Sequence, residues 1–439
     1  MSSLEEQLLG LRDCIQNKPP YCSGTLKLPS EDFLLYYGKG DDVRRIDLST
    51  ATEESAKHLA ESCDSATFGL NNQDVLDESY RKAGKLDRKH FSPAFDLAST
   101  GLLGIIETEL IERNKESPSI RAELYKLNVY GPGSFFKAHQ DTPRSTDMFG
   151  SLVVVYPTVH EGGALVLRHG GKEWTFDSSR IIADQKEPRL AYIAFFSDVE
   201  HEVLQVQSGY RITITYNLYY NSPQPSDLPV RPLTFESSLK AALQHLLDDP
   251  TFLPEGGHLG FCLSHQYPVE SDRGAGAKAL SEVSGMLKGS DASLASVFTA
   301  LGLRSRLEFV VEDNEVWIES EEGGSTHMIA YVLFDEYAPD IEETTVESQL
   351  FEVLRDIGGK LATRIPPLYP GRNAIEPAVH VHWVVSPSSN TGFKFKTRYL
   401  TYGNEALPGM QYTHLCILAD VGDSSERRRS WYSRVGARR

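Results

Sequence analysis

The stretch Val129-Tyr130-Gly131-Pro132-Gly133-Ser134-Phe135-Phe136-Lys137-Ala138-His139-Gln140-Asp141 decides how the middle of this chain is read. A β-rich run ends at Tyr130, Gly-Pro-Gly supplies a turn, and a second extended segment follows. In that segment His139 and Asp141 stand two apart, so extended backbone points both to one face, where they can meet one metal. Outward from this stretch the pattern repeats, with β-rich runs at Leu124 to Tyr130, Ser151 to Tyr156, Ala164 to His169, Glu173 to Phe176, Leu190 to Phe196, Glu202 to Gln207 and Tyr210 to Tyr219. Gly162-Gly163, Gly170-Gly171 and Ser208-Gly209 punctuate them. Short strands so closely spaced predict a closed or double-layered sheet, with a jelly-roll or barrel as the natural architecture.

A His-x-Asp pair alone is a weak signal, because a chain with 13 histidines contains one by chance. The surrounding residues carry the rest. His201, just past the apolar run ending at Phe195-Phe196, offers a third ligand. Two histidines and one carboxylate leave three positions open, an arrangement suited to non-haem Fe(II) that must also bind a co-substrate and O2. Arg211 opens the strand Arg211-Ile212-Thr213-Ile214-Thr215-Tyr216-Asn217-Leu218, where Ile212, Ile214, Tyr216 and Leu218 share one face and Arg211 and Thr213 the other. An arginine inside a β-barrel is costly unless paired, and a dicarboxylate would supply a bidentate partner. The Ser208-Gly209 turn would make the His201 and Arg211 strands neighbours and place both sites in one cavity.

These blocks, together with Glu161-Gly162-Gly163-Ala164-Leu165 and Tyr210-Arg211-Ile212-Thr213, resemble the Fe(II)/2-oxoglutarate-dependent dioxygenases, and within them the prolyl 4-hydroxylase-like branch. The resemblance runs from about Tyr125 to Leu218. It implies a double-stranded β-helix, iron held by His139, Asp141 and His201, and Arg211 on the distal carboxylate of 2-oxoglutarate. Tyr130 and Thr213 resemble secondary contacts to that co-substrate. It further implies Fe(II), 2-oxoglutarate and O2 as cofactors, with ascorbate able to accompany them, release of succinate and CO2, and a protein or peptide substrate hydroxylated at a prolyl residue. A small-molecule substrate is the alternative. A carboxylate at position 141 argues against halogenating variants, which leave that coordination site to chloride.

The full expectation is an α+β chain. Residues 1–118 read as a helix-weighted N-terminal region packing on the core, with a capped helix at Ser3 to Ile15, a second at Glu53 to Ser62 and a third from Ser92-Pro93 through Leu110. Residues 119–222 form the dioxygenase domain, 223–235 a Pro-rich linker, 236–425 an α+β accessory domain and 426–439 a basic, disordered tail. In the accessory part the pattern predicts helices at Ser238 to Asp249, Ala277 to Leu287, Ala292 to Leu301 and Ile341 to about Arg364, a hairpin at Asp313-Asn314, and strands at Val379 to Val385, Phe393 to Tyr402 and Leu415 to Val421. The segment Tyr402-Gly403-Asn404-Glu405-Ala406 and its surroundings resemble the C-terminal half of fungal proteins carrying this oxygenase domain.

Of the 439 residues 40% are apolar and 24% charged, and no apolar run is long enough for a membrane span, so a soluble protein of cytosol or nucleus is expected. Five scattered cysteines predict neither a disulfide framework nor a zinc site. A net charge of −17 repels phosphate backbones and disfavours nucleic acid as a partner. Bland readings stand beside the sharp ones. Arg211 could pair with Asp198, Gly162-Gly163 could mark a turn or bulge, and Tyr130 could be core. His380 and His382, also two apart, lack a following carboxylate and third histidine and read as an ordinary strand face. A catalytically idle binding module is the reading from another class.

Overall fold

The computed structural model describes residues 3–15, 19–70, 73–111, 119–221, 234–270, 276–319, 325–334, 360–363, 379–386, 410–413 and 415–427. The chain is α+β and divides into two compact units, one of residues 19–230 and 399–411, the other of 1–18, 231–398 and 412–439. Among the described residues no helix is long and apolar enough to cross a membrane.

Two large antiparallel sheets, with three small ones beside them among the described residues, build the first unit. The larger runs, edge to edge, through Tyr21–Leu26, Leu190–Phe196, Met148–Val155, Arg211–Tyr220, Ile120–Tyr130, Gly84–Asp87 and Asp64–Ser65. The smaller runs through Lys172–Phe176, Leu165–His169, Glu200–Val203, Phe135–His139 and Arg81–Lys82. Period-two alternation explains the larger sheet. Ile212, Ile214 and Leu218 are buried on one face of the Arg211–Tyr220 strand, whereas Arg211, Thr213 and Thr215 line a pocket on the other. Leu190–Phe196 is buried at every position, as a strand covered on both faces must be.

Residues 19–111 depart from the helix-weighted expectation. Their described part holds Tyr21–Leu26, several strands of two to six residues, and two α-helices, Glu53–Glu61 and Leu102–Glu109. Strands of two or three residues are too short for alternation to register, while a helix announces itself over several turns. The third expected helix starts late. Phe91–Pro93 is extended, as the residue before a proline prefers, and Gly101 at φ 74° separates a short 3-10 turn from Leu102–Glu109. Leu97, Leu102, Ile106 and Leu110 are buried and Ile105 is partly exposed, so the segment packs largely through its apolar residues although it is not one continuous helix.

The second unit contains a closed six-stranded barrel in the order Gly257–Cys262, Val379–Val385, Lys360–Thr363, Ser325–Phe334, Arg304–Glu319 and Leu415–Val421. Helices Thr234–Asp248, Gly276–Ser284 and Gly289–Leu301 lie near their expected places. The N-terminal helix, Leu4–Asp13, carries the expected capping box, with Ser3 and Glu6 bonding each other's backbone N–H. It belongs to this unit. Leu11 and Ile15 join Leu239, Leu243 and Val384 in one core, so the helix groups with 231–398 rather than with residues 19–118 as expected.

Three further expectations change. Lys360–Thr363 is a barrel strand, not the end of a helix reaching Arg364. Asp313 and Asn314 lie within the Arg304–Glu319 strand, where the register to Ser325–Phe334 slips, so the connection comes after Glu319. Arg427 is anchored, its guanidinium donating to the carbonyls of Leu247, Phe252 and Leu253. Of the linker expected at 223–235, residues 234 and 235 already belong to the helix Thr234–Asp248; its remainder, the helix at 341–359, the strand at 393–402, Tyr402 to Ala406 and the tail at 428–439 lie outside the described residues.

Candidate functional site

Phe135–His139 and Glu200–Val203 are antiparallel neighbours in which His139 faces His201, with their rings 4.3 Å apart. Each imidazole is locked the same way. His139 Nδ1 lies 2.8 Å from the Lys137 carbonyl and His201 Nδ1 2.9 Å from that of Val199. A carbonyl only accepts, so each Nδ1 carries the proton and each Nε2 keeps its lone pair for a metal. Burial, reinforced by His201, pushes the His139 imidazole well below its ordinary range and favours the neutral, ligating form.

Asp141 follows the strand end and is buried like the two histidines. The Ser151 hydroxyl, on the larger sheet, donates to its Oδ2, while Oδ1 lies 3.9 Å from His201 Nε2. The ligand atoms of His139, Asp141 and His201 all fall within 4.8 Å of one another. Two neutral nitrogens and one carboxylate oxygen on one side of a site form a donor set that fits Fe(II) with open positions opposite.

Arg211 is 1% exposed and lines the same pocket. Its Nε donates to Ser178 Oγ at 3.4 Å, and its Nη2 is buried and has no partner among the described residues. Leaving a buried charged donor unmatched costs more than the roughly 1–3 kcal/mol of a neutral group, so such a guanidinium points to an anionic ligand. Burial lowers its pKa to about 10, which leaves it charged at neutral pH. Asp198 does not neutralise it. The hydrogen bond and aromatic contact found for Arg211 go to Ser178 and to the Tyr130 ring, 5.6 Å from the guanidinium carbon.

The pocket therefore gathers all six residues singled out from sequence: His139, Asp141, His201, Arg211, Tyr130 and Thr213. Their arrangement differs in one respect. The His201 and Arg211 strands belong to different sheets, joined through Val206–Gly209, which pairs with His160–Gly162. Metal ligands and arginine thus face each other from two layers rather than lying side by side in one. Gly162 and Gly163 have φ of 74° and 69° at a register slip, as a bulge reading anticipates. Gly163 has a second role, because a Cβ there would stand 2.8 Å from Val206 Cγ2 and 3.0 Å from Arg211 Cδ. Ser151, Ser178 and His160 were not found from sequence; single serines and histidines carry no spacing signal until the layers bring them to their partners.

Residues 125–219 match the family model of the 2OG-Fe(II) oxygenase superfamily. That match spans the blocks on which the sequence resemblance rests, supports an oxidoreductase, and brings Fe(II), 2-oxoglutarate and O2 as cofactors. No curated protein matches the chain. Solved structures similar to it include a Pseudomonas putida prolyl-4-hydroxylase, 16% identical over 49% of this chain and 100% of that one, with a TM-score of 0.28. Another is a Trichoplax adhaerens prolyl hydroxylase in complex with a hypoxia inducible factor oxygen degradation domain peptide fragment, at 18% identity, 49% and 90% coverage and a TM-score of 0.29. A third is a viral collagen prolyl hydroxylase from Paramecium Bursaria Chlorella virus-1, at 13% identity, 39% and 93% coverage and a TM-score of 0.24.

Proposed function

We propose that this chain is a dioxygenase that hydroxylates a substrate C–H bond, with its catalytic pocket on a double-stranded β-helix formed around residues 119–222. One observation carries the reading: a buried guanidinium with an unmatched Nη2 shares a pocket with a buried His-Asp-His triad. A structural arginine would bring its own carboxylate; this one keeps its charge for a ligand.

In this reading Fe(II) is held by His139, Asp141 and His201, and the far carboxylate of 2-oxoglutarate by Arg211, with Tyr130 and Thr213 as further contacts. The bound metal and co-substrate supply O2 activation coupled to oxidative decarboxylation to succinate and CO2. The chain's own work is positional. Lys137 and Val199 carbonyls aim the two imidazoles, Ser151 aims the Asp141 carboxylate, and the apolar wall of Phe136, Phe195 and Val203 keeps water from the reacting centre. We assign the substrate as a prolyl residue of a protein or peptide, supported by the prolyl 4-hydroxylase-like sequence blocks from Val129 to Thr213.

Purified protein supplied with Fe(II), 2-oxoglutarate and O2 is expected to form succinate, faster with a prolyl peptide than without, and not at all as His139→Ala. Succinate that a peptide never accelerates would move the substrate to a small molecule. No succinate under any condition would leave a binding module.

A further inference from the structure

Arg211 must be aimed without being neutralised, and the groups that touch it do this with uncharged atoms. The helix Ser178–Ala183 is capped by Asp177, whose carboxylate accepts from the backbone N–H of Ser179 and Arg180. Ser178 is therefore not needed as the cap, yet it is completely buried. Its Oγ stands 3.4 Å from Arg211 Nε and 3.1 Å from His160 Nε2. His160, also buried, places Nδ1 2.7 Å from the Thr158 carbonyl.

Donor and acceptor roles follow without choice. The Thr158 carbonyl can only accept, so His160 Nδ1 carries the proton and Nε2 accepts. The Ser178 hydroxyl must then donate to Nε2, which leaves its lone pairs for the Arg211 Nε–H. The Thr158 hydroxyl donates to the carbonyl of Tyr210, the residue before Arg211, at 2.6 Å, so the chain of bonds begins and ends on adjacent residues. Burial lowers the His160 pKa and keeps its ring in the neutral form this polarity requires.

We propose that Ser178 and His160 are positioning residues, a neutral relay that orients the Arg211 guanidinium toward the distal carboxylate of 2-oxoglutarate while leaving its charge unspent. The inference rests on the anion-site reading above and extends it to two side chains that stand behind Arg211, outside the residues lining the pocket. An aspartate in place of Ser178 would hold Arg211 more firmly but satisfy its charge internally, removing the reason for an anion to bind.

Calorimetric titration of 2-oxoglutarate into the full chain loaded with Mn(II) tests the relay. Ser178→Ala and His160→Leu are expected to weaken binding by about five- to tenfold, the scale of one lost hydrogen bond. His160→Gln, which retains an acceptor, recovers most of that loss, and Ser178→Asp loses more than Ser178→Ala. In turnover the KM for 2-oxoglutarate rises in Ser178→Ala while kcat changes little. Affinity within twofold of wild type in both Ser178→Ala and His160→Leu, with Arg211→Ala strongly impaired, overturns the relay and leaves the anion site standing. Tight binding by Ser178→Asp overturns the neutrality argument. If Arg211→Ala itself binds normally, anion site and relay fall together.

Discussion

Two pairs of residues in this chain share a spacing and differ in everything the spacing does not specify. His139 and Asp141 lie two apart at a strand end in the first unit; His380 and His382 lie two apart within Val379–Val385 in the second. Proximity of imidazoles does not separate them, for the His139 and His201 rings and the His380 and His382 rings are each 4.3 Å apart. The difference lies in what meets them. The first pair receives His201 from a neighbouring strand and Ser151 from the opposite sheet, with both imidazoles aimed by backbone carbonyls. Among the described residues the second pair belongs to no gathered group of three metal-ligating side chains. It alternates with Val381 and Trp383, which enter the small core with Val310, Cys416 and Leu418. A metal centre is thus a property of convergence between strands, not of a motif along one.

The sharpest break between the two comes from removing a member of each. Asp141→Ala is expected to abolish Fe(II)-dependent succinate formation and metal retention measured by elemental analysis, whereas His380→Ala leaves both at wild-type levels; equal loss in both would erase the distinction. Next in size is the anion side of the first site. Arg211→Ala should weaken 2-oxoglutarate binding by roughly 2–5 kcal/mol, the range for truncating one partner of a buried charged pair, and calorimetry that finds no change would relocate the co-substrate.

Ser151→Ala probes the support given to Asp141. Loss of an outer hydrogen bond to a metal ligand typically lowers metal affinity by about 10- to 100-fold, measurable by competition with a chelator. The smallest effect belongs to the second pair. Burial, then His380 and His258, lower the His382 pKa to about 4, against an ordinary value near 6.5. The unfolded chain takes up that proton at higher pH than the folded chain, so the resulting stability is present above about pH 6.5 and lost as pH falls toward 4. Half-exposure reduces its size. His382→Asn should flatten the fall in thermal midpoint between pH 6.5 and 5, and an undiminished slope would assign that fall to other groups.

Sequence carried unevenly within both units. Leu190 to Phe196, Val379 to Val385 and Leu415 to Val421 were bounded correctly, since long β-branched or aromatic runs between turn residues leave few alternatives. The run read as Glu202 to Gln207 proved to be two strands, Glu200–Val203 and Val206–Gly209, in different sheets. That separation underlies the wrong expectation that the His201 and Arg211 strands are neighbours. Arg427, read as part of a solvated tail, instead satisfies the carbonyls of Leu247, Phe252 and Leu253, a use for charge that composition does not reveal.

By itself the sequence determined which residues could ligate a metal, which strand faces are polar, and where glycines must break the backbone, because those are local consequences of side-chain chemistry and of the two-residue period of a strand. Tertiary structure alone decided that Ser151 meets Asp141, that Ser178 stands between His160 and Arg211, and that Leu4–Asp13 shares a core with the barrel. These contacts join residues from 10 to over 200 positions apart on separate elements, and such pairings are selected by the burial and hydrogen bonding of the whole layer rather than by any preference written in the neighbouring residues.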